Sequence, residues 1–362
     1  MMNRTIPVAL VALAALVSAC GDEGTGSSMS NGSGGGGAGG GNGGSGGSGG
    51  SGGNGGSGGG TGGAGGGAMS AICPGGPYAM NPLPANTTAQ KVQGGFKFIE
   101  GPVWFADIGA LFFSDMDFGA PNAPPLNGPR SKIHKFTPPS TFEVFLENGS
   151  SNGLAIDLQG NIIACTHDTR SISVYDRQTK ERKQVVESYM DKKFNSPNDV
   201  TVRSDGNIYF SDPDWQLGSG TPSELPMAVY RVAPGGEVSV VDLLDKPNGV
   251  TLSPDENTLY VGAVDGKIRK YALDAAGATG PAANFVDSPG PDGMAADCAG
   301  NIYISGGEGV KVFSPEGTMI GTITGTGGTT NVAFGGPERK TLYITAVDSL
   351  YMIEVNIPGY PY

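Results

Sequence analysis

One pattern of apolar and polar positions recurs along the chain from Glu100 onward. A polar residue opens it, usually beside Gly or Asp. Three or four alternating apolar residues follow, then an Asp/Gly turn, then a second run rich in Ile and Tyr. Period-two alternation over short runs, broken by tight turns, is the signal of strands paired as antiparallel hairpins. The opening runs are Glu100-Gly101-Pro102-Val103-Trp104, Asn152-Gly153-Leu154-Ala155-Ile156, Asn198-Asp199-Val200-Thr201-Val202, Asn248-Gly249-Val250-Thr251-Leu252, Asp292-Gly293-Met294-Ala295-Ala296 and Asn331-Val332-Ala333-Phe334. The second runs, such as Leu111-Phe112-Phe113, Asn207-Ile208-Tyr209-Phe210 and Thr341-Leu342-Tyr343-Ile344, keep the same phase. The lead residues are separated by 52, 46, 50, 44 and 39 positions. Periods of about 40 to 50 residues holding several short strands mark propeller blades. Six copies predict an all-β fold, a six-bladed β-propeller of four-stranded antiparallel blades. A β-sandwich would not repeat one signature at this period.

In a propeller the innermost strand of each blade runs along the central channel. Equivalent residues of the repeat therefore meet at one height around the axis. Glu100, Asn152, Asn198, Asn248, Asp292 and, in the sixth copy, Asn331 are expected to converge at one mouth of the channel. All offer oxygen and none is basic. Such a set suits a hard divalent cation, Ca²⁺ before others. Without a cation, Glu100 and Asp292 would repel each other across a partly dry channel and one would protonate. Asn-Gly and Asp-Gly commonly just make turns, but six copies in phase exceed what turns alone require.

The motifs Glu100-Gly101-Pro102-Val103-Trp104, Ser196-Pro197-Asn198-Asp199, Pro247-Asn248-Gly249 and Pro291-Asp292-Gly293 resemble those of the senescence marker protein/gluconolactonase/regucalcin-like family. The end of the chain, Thr330 to Pro337 and Thr341 to Ala346, is similar to the bacterial gluconolactonase branch. The resemblance runs from about Gly94 to Tyr351 and implies a six-bladed propeller holding one divalent metal, Ca²⁺ or Zn²⁺, at its axial mouth. It implies Glu100, Asn248 and Asp292 as metal ligands, Asn198 as a further ligand or substrate contact, and Asp292 as general base or nucleophile. In the animal sugar-lactonases of this family an arginine two residues before the position of Asn198 grips the substrate. Here Ser196 stands there, which leaves the preference for gluconolactone open.

Two further residues follow the second strands of their blades. His167 is a candidate substrate contact, with a structural role as the alternative. Asp212 either faces the pocket or makes a turn. Gly149-Ser150-Ser151-Asn152-Gly153 fits the G-x-S-x-G pattern, but a strand follows it where a nucleophile elbow needs a helix. The expected activity is metal-dependent hydrolysis of a small-molecule sugar lactone, with Asp292 activating water and Asn152, Asn198 and Asn248 orienting the substrate. The alternatives are phosphotriesterase-like chemistry at the same metal, or a non-catalytic binding propeller with a structural Ca²⁺.

The chain ends change where the protein is expected to work. Arg4 and the apolar run from Ile6 to Val17 read as a signal peptide over residues 1–20, too short for a membrane span. Val17-Ser18-Ala19-Cys20-Gly21 looks like a lipobox, with Cys20 taking the lipid. Residues 21–72 are a Gly/Ser/Asn tract that cannot bury enough surface to order itself; as a coil of ~50 residues it would reach about 40 Å. The propeller is then residues 73–362, tethered as a monomer to the membrane of a bacterial cell envelope, facing the periplasm or the cell surface. A formal charge of −12 argues against a nucleic-acid partner. Cys73, Cys165 and Cys298 lack metal-ligand spacing and read as buried thiols or one structural bridge.

Overall fold

The computed structural model describes Cys73, Gly76 and residues 78–119, 128–307 and 309–360. The signal peptide with Cys20 and the Gly/Ser tract lie outside the described residues. Six four-stranded antiparallel sheets form the six blades of a β-propeller. Their innermost strands are Ile99–Phe105, Ser151–Ile156, Val200–Val202, Pro247–Leu252, Met294–Ala296 and Thr329–Gly335. Each begins at, or one or two residues to either side of, a lead residue of the repeat. These strands are buried along almost their whole length, as in Thr329–Gly335, whereas the outer strand Thr141–Leu146 is largely exposed. An innermost strand is covered on both faces by neighbouring blades, so its apolar run is nearly continuous.

The ring closes by exchange between the chain ends. Gln90–Gly94 pairs antiparallel with Ser349–Glu354, placing Gln90 opposite Met352 and Gly94 opposite Ser349. The sixth blade thus takes its outer strand from the N-terminal side of the domain, which covers a sheet edge that would otherwise be open.

On the face opposite the lead residues, where first strands turn into second strands, the C-terminal segment ties together blades four, five and six. Gly359 N–H donates to Arg339 O at 2.7 Å, Cys298 N–H to Pro358 O at 2.8 Å and Tyr360 N–H to Ala296 O at 2.9 Å. The Tyr360 side chain is 2% exposed and its hydroxyl donates to Glu256 in the turn of blade four. A Cys73–Cys298 disulfide fastens the start of the domain to this face, and Cys165 is a buried free thiol. Of the open alternatives for the cysteines, one bridge with one spare thiol holds.

The lead pairs do not make tight turns. Glu100-Gly101, Asn152-Gly153 and Asn248-Gly249 lie in β-bulges, where the register slips between Glu100 and Val103, Ser151 and Leu154, and Pro247 and Val250. A bulge re-aims side chains and sharpens twist, here turning the lead residue toward the axis. The glycines allow the strands to approach. A Cβ on Gly101 would lie 2.3 Å from Asn152 O, on Gly153 2.6 Å from Asn198 O, on Gly249 2.1 Å from Asp292 O and on Gly293 1.9 Å from Asn331 Cγ. Gly249→Ala should therefore lower unfolding free energy by about 1–3 kcal/mol through overpacking. Gly327→Ala, with nothing within 4 Å of the added carbon, should stay within about 0.5 kcal/mol of wild type. Denaturant unfolding of both variants checks this; equal losses would remove the crowding argument.

Candidate active site

Lead residues of different blades come within reach of one another at the channel mouth, Glu100 of Asp292 and Asp292 of Asn248. Glu100, Asn152, Asn198 and Asn248 are buried and Asp292 is half-buried. Hydroxyls at the ends of second strands pin the backbone around them. Ser114 Oγ donates to Asn152 O at 2.6 Å, Ser305 Oγ to Gly293 O and Thr330 O at 2.8 Å, and Ser211 Oγ accepts from Asp199 N–H at 3.1 Å. The bulged peptide groups, which the regular ladder leaves unpaired, are thereby satisfied.

Three carboxylates face the axis, from blades one, three and five. Burial pushes the Glu100 carboxyl well above the ordinary range, and the neighbouring Asp292 and Asp199 charges push it further. Burial likewise raises Asp292, with Asp199 adding to it and a hydrogen bond from Asn248 opposing it. Burial raises Asp199 to about 6 against hydrogen bonds from Val250 N–H, Val200 N–H and Asn331. The groups that counter this repulsion are amide and backbone N–H donors, not basic side chains.

Asp199 is the residue that reading by lead position missed. Its neighbours in the repeat are glycines, and it carries a carboxylate at the place they leave bare. Val250 N–H donates to Asp199 Oδ2 at 2.9 Å, and Asn331 Nδ2 reaches Oδ1 at 3.4 Å from the opposite blade. That contact spans the channel. Asn331 itself is one step out of register with the other lead residues. Gly153 N–H donates to Asn198 O at 2.7 Å and Gly293 N–H to Thr330 O at 2.8 Å, so Thr330 occupies the lead position and Asn331 matches Asp199. Below this polar layer Leu154, Val200, Val250, Met294 and Val332 collar a cavity of about 30 Å³, room for about one water.

The donor set fits a hard cation in kind, being all oxygen and burdened with unneutralised negative charge. Among the described residues no three His, Cys, Asp or Glu side chains gather as a metal cluster. A cation here would need amide oxygens beside the carboxylates.

Residues 98–348 match the family model for the SMP-30/Gluconolactonase/LRE-like region. The chain belongs to this family. A gluconolactonase of Zymomonas mobilis subsp. mobilis is 30% identical over 311 residues, covering 76% of this chain and 84% of that protein. A pentonolactonase of Haloferax volcanii is 27% identical over 270 residues, covering 72% and 84%. The solved structure of a gluconolactonase from Xanthomonas campestris has a TM-score of 0.66 at 31% identity, covering 74% of this chain and 89% of that one. Regucalcin from Agrobacterium tumefaciens, described as a calcium-binding protein, shares the fold with a TM-score of 0.59 at 20% identity, covering 76% and 98%.

In this SMP-30/gluconolactonase-family chain the two residues that follow second strands separate in kind. His167 is 1% exposed on the mouth side of blade two. A Cβ on Gly128 of blade one would lie 2.7 Å from His167 Cβ and 2.6 Å from Gln216 O of blade three, so the flanking loops meet over the histidine. Burial holds its pKa down to about 4, which leaves the imidazole neutral. The Pro129 carbonyl faces the ring, yet neither ring nitrogen completes a hydrogen bond among the described residues. Ser151, which holds the serine position of the G-x-S-x-G stretch, is a buried strand residue whose Oγ lies 2.7 Å from Ser114 Oγ. The coincidence is structural.

Asp212 is neither a pocket residue nor a turn-maker. It is fully buried, Oδ2 accepts from Asn195 N–H at 2.8 Å, and Oδ1 has no partner among the described residues. Burial pushes its pKa up to about 8, against the Asn195 N–H and the charge of Arg170. The folded chain holds this proton more tightly than the unfolded one. Its stabilising contribution is full below the ordinary carboxylate value and is lost as pH rises toward about 8. Asp212→Asn should flatten that dependence, so melting temperature should fall less steeply than in wild type from about pH 5 to pH 8. Parallel curves for the two proteins would show that Asp212 is ionised throughout.

Proposed function

We propose that the protein hydrolyses a sugar lactone at the axial mouth, with one divalent cation, Ca²⁺ first and Zn²⁺ second, held by Glu100, Asn198, Asn248 and Asp292. The observation that carries this reading is the electrostatic influence that the buried carboxyls of Asp199 and Asp292 exert at Glu100, opposed by amide and backbone N–H donors and not by basic side chains. The family and its gluconolactonase and pentonolactonase relatives support the lactone, and a calcium-binding propeller of the same fold supports the ion.

When bound, the cation supplies Lewis-acid polarisation of the carbonyl. Asp292 accepts the proton of the attacking water as general base. Water oxygen bonds to the carbonyl carbon, the ring C–O bond breaks, and the proton taken up by Asp292 passes to the departing ring oxygen, which becomes the hydroxyl of an aldonic acid. Asn152 and Asn198 orient the substrate through amide hydrogen bonds, with neutral His167, buried beneath the flanking loops, as a further candidate contact. Asp199 and Asn331 close the channel beneath, so substrate and product pass through one opening. We place this domain in the bacterial cell envelope, tethered through a lipid on Cys20 and acting as a monomer; the character of residues 1–72 supports that placement.

The test is a panel of aldonolactones, with phosphotriesters alongside, assayed before and after chelation. Asp292→Asn should cut kcat on the favoured lactone by at least about 10²-fold, and chelation should abolish turnover reversibly. Wild-type rates in both the variant and the stripped protein would refute the mechanism; turnover of phosphotriesters alone would move the chemistry to phosphorus.

A further inference from the structure

The loop joining Ile208–Asp212 to Ala228–Val232 in blade three rises on the mouth side and carries Asp214, Trp215 and Gln216. It is held from below by Ser196. Ser196 N–H donates to Pro213 O at 3.0 Å, its hydroxyl donates to the same oxygen at 2.7 Å, and Gln216 N–H donates to Ser196 Oγ at 3.1 Å. Ser196 is buried and its donor is spent on this loop, so it does not reach a substrate. It positions what does.

From the other side comes Lys246, one residue before the strand that bears Asn248. Its ammonium lies 2.6 Å from Asp214 Oδ1 and 5.7 Å from the centre of the Trp215 ring. Trp215 is half-buried and, among the described residues, packs against no other aromatic ring. It therefore stands at the rim between the blades of Asn198 and Asn248, braced by a charge pair and still open to solvent. Beside it, Gln216 Oε1 and both His167 nitrogens are buried without partners among the described residues. A buried polar atom left unmet is costly until something bonds to it. A braced indole face next to unmet hydrogen-bonding atoms matches a polyhydroxylated ring, whose C–H face stacks while its hydroxyls bond.

We propose that Trp215 and Gln216, braced by Lys246 and Asp214, form the subsite that takes the hydroxylated end of the substrate and so sets the preference for sugar lactones over bare ones. This rests on the lactonase reading above and says which part of the lactone is recognised, and where. The hydroxyls bond to Gln216 Oε1 and the Lys246 ammonium while the ring lies on the indole. No bond is made or broken there.

The chain has two tryptophans, and Trp104 is engaged elsewhere, stacked on Tyr343 at 5.6 Å. In full-length Trp104→Phe protein the indole emission therefore reports Trp215 alone. Titration with gluconolactam, a sugar ring that is not hydrolysed, should shift that emission saturably, and δ-valerolactam should not. In parallel, Trp215→Ala should lower the kcat/KM ratio of gluconolactone over δ-valerolactone by about tenfold, through KM, with Trp215→Phe restoring most of it. An emission unmoved by gluconolactam, or an unchanged ratio in a folded Trp215→Ala protein, overturns the subsite even if lactones are hydrolysed. A saturable shift in a protein that hydrolyses no lactone upholds the subsite and removes the catalytic reading instead.

Discussion

Six strands must pass side by side around one axis, and the space between them is barely wider than a backbone. Everything else at the mouth follows from that crowding. Where neighbouring strands touch, a Cβ would meet a carbonyl oxygen of the next blade at little more than 2 Å, so glycine stands beside the lead residue in four of the six blades. The bulges that accommodate the approach leave peptide groups off the regular ladder. Second-strand hydroxyls such as those of Ser114 and Ser305 satisfy them. The same bulges turn polar side chains inward, into a volume too small and too dry for free ionisation. Carboxylates gathered there raise one another's pKa, because moving charge into a low-dielectric channel is costly and a second like charge makes it costlier.

That constraint explains why so much of the architecture can be read from the chain. The crowding acts on every blade at the same place, so it prints the same residue types at the same phase. The period, the strand pairs and the polar ring at one mouth are legible for this reason, and Glu100, Asn198, Asn248 and Asp292 stand where the repeat puts them. Features that do not repeat are harder to see. The outer strand Gln90–Gly94 belongs to the last blade through pairing with Ser349–Glu354, and no local pattern says which distant strand an edge strand will join. The disulfide has the same character, since three cysteines leave the pairing open and no local pattern joins Cys73 to the turn of blade five.

Asp199 shows a subtler limit. Asn198-Asp199 reads as one more polar lead pair, and attention falls on the asparagine that aligns with the others. The signal lies in the second residue, where a charge replaces the glycine of blades one, two, four and five. A substitution at a position kept bare for steric reasons has to project into the channel, and Asp199 does so, far enough to reach Asn331 across the axis. Asn331 misled in the opposite way. Aligned on residue type it completes the ring, yet Gly293 pairs with Thr330, and the hydroxyl of Thr330 is committed to Ile99 O at 2.7 Å. The sixth blade places its amide one step further along the strand, where it meets Asp199 across the axis as well as Glu100 of the adjoining blade.

Axis and rim carry different kinds of information. Axial residues are held by contacts that every blade shares, so their chemistry is common to the fold and is recovered from periodicity. Rim residues sit on the loops between second and third strands, and these differ in length and composition from blade to blade. In blade four the connection is the short turn after Ala263; in blade three it is a stretch of fifteen residues between Asp212 and Ala228 that carries Trp215 and is anchored by Ser196. A rigid scaffold tolerates such variation because the loops lie on its surface. Substrate choice can thus change without disturbing the polar ring. Ser196 illustrates the division: a buried residue on the axial strand's approach holds in place a loop that offers an aromatic face. The polar ring lies in the part of the chain that repeats, and the aromatic rim in the part that does not.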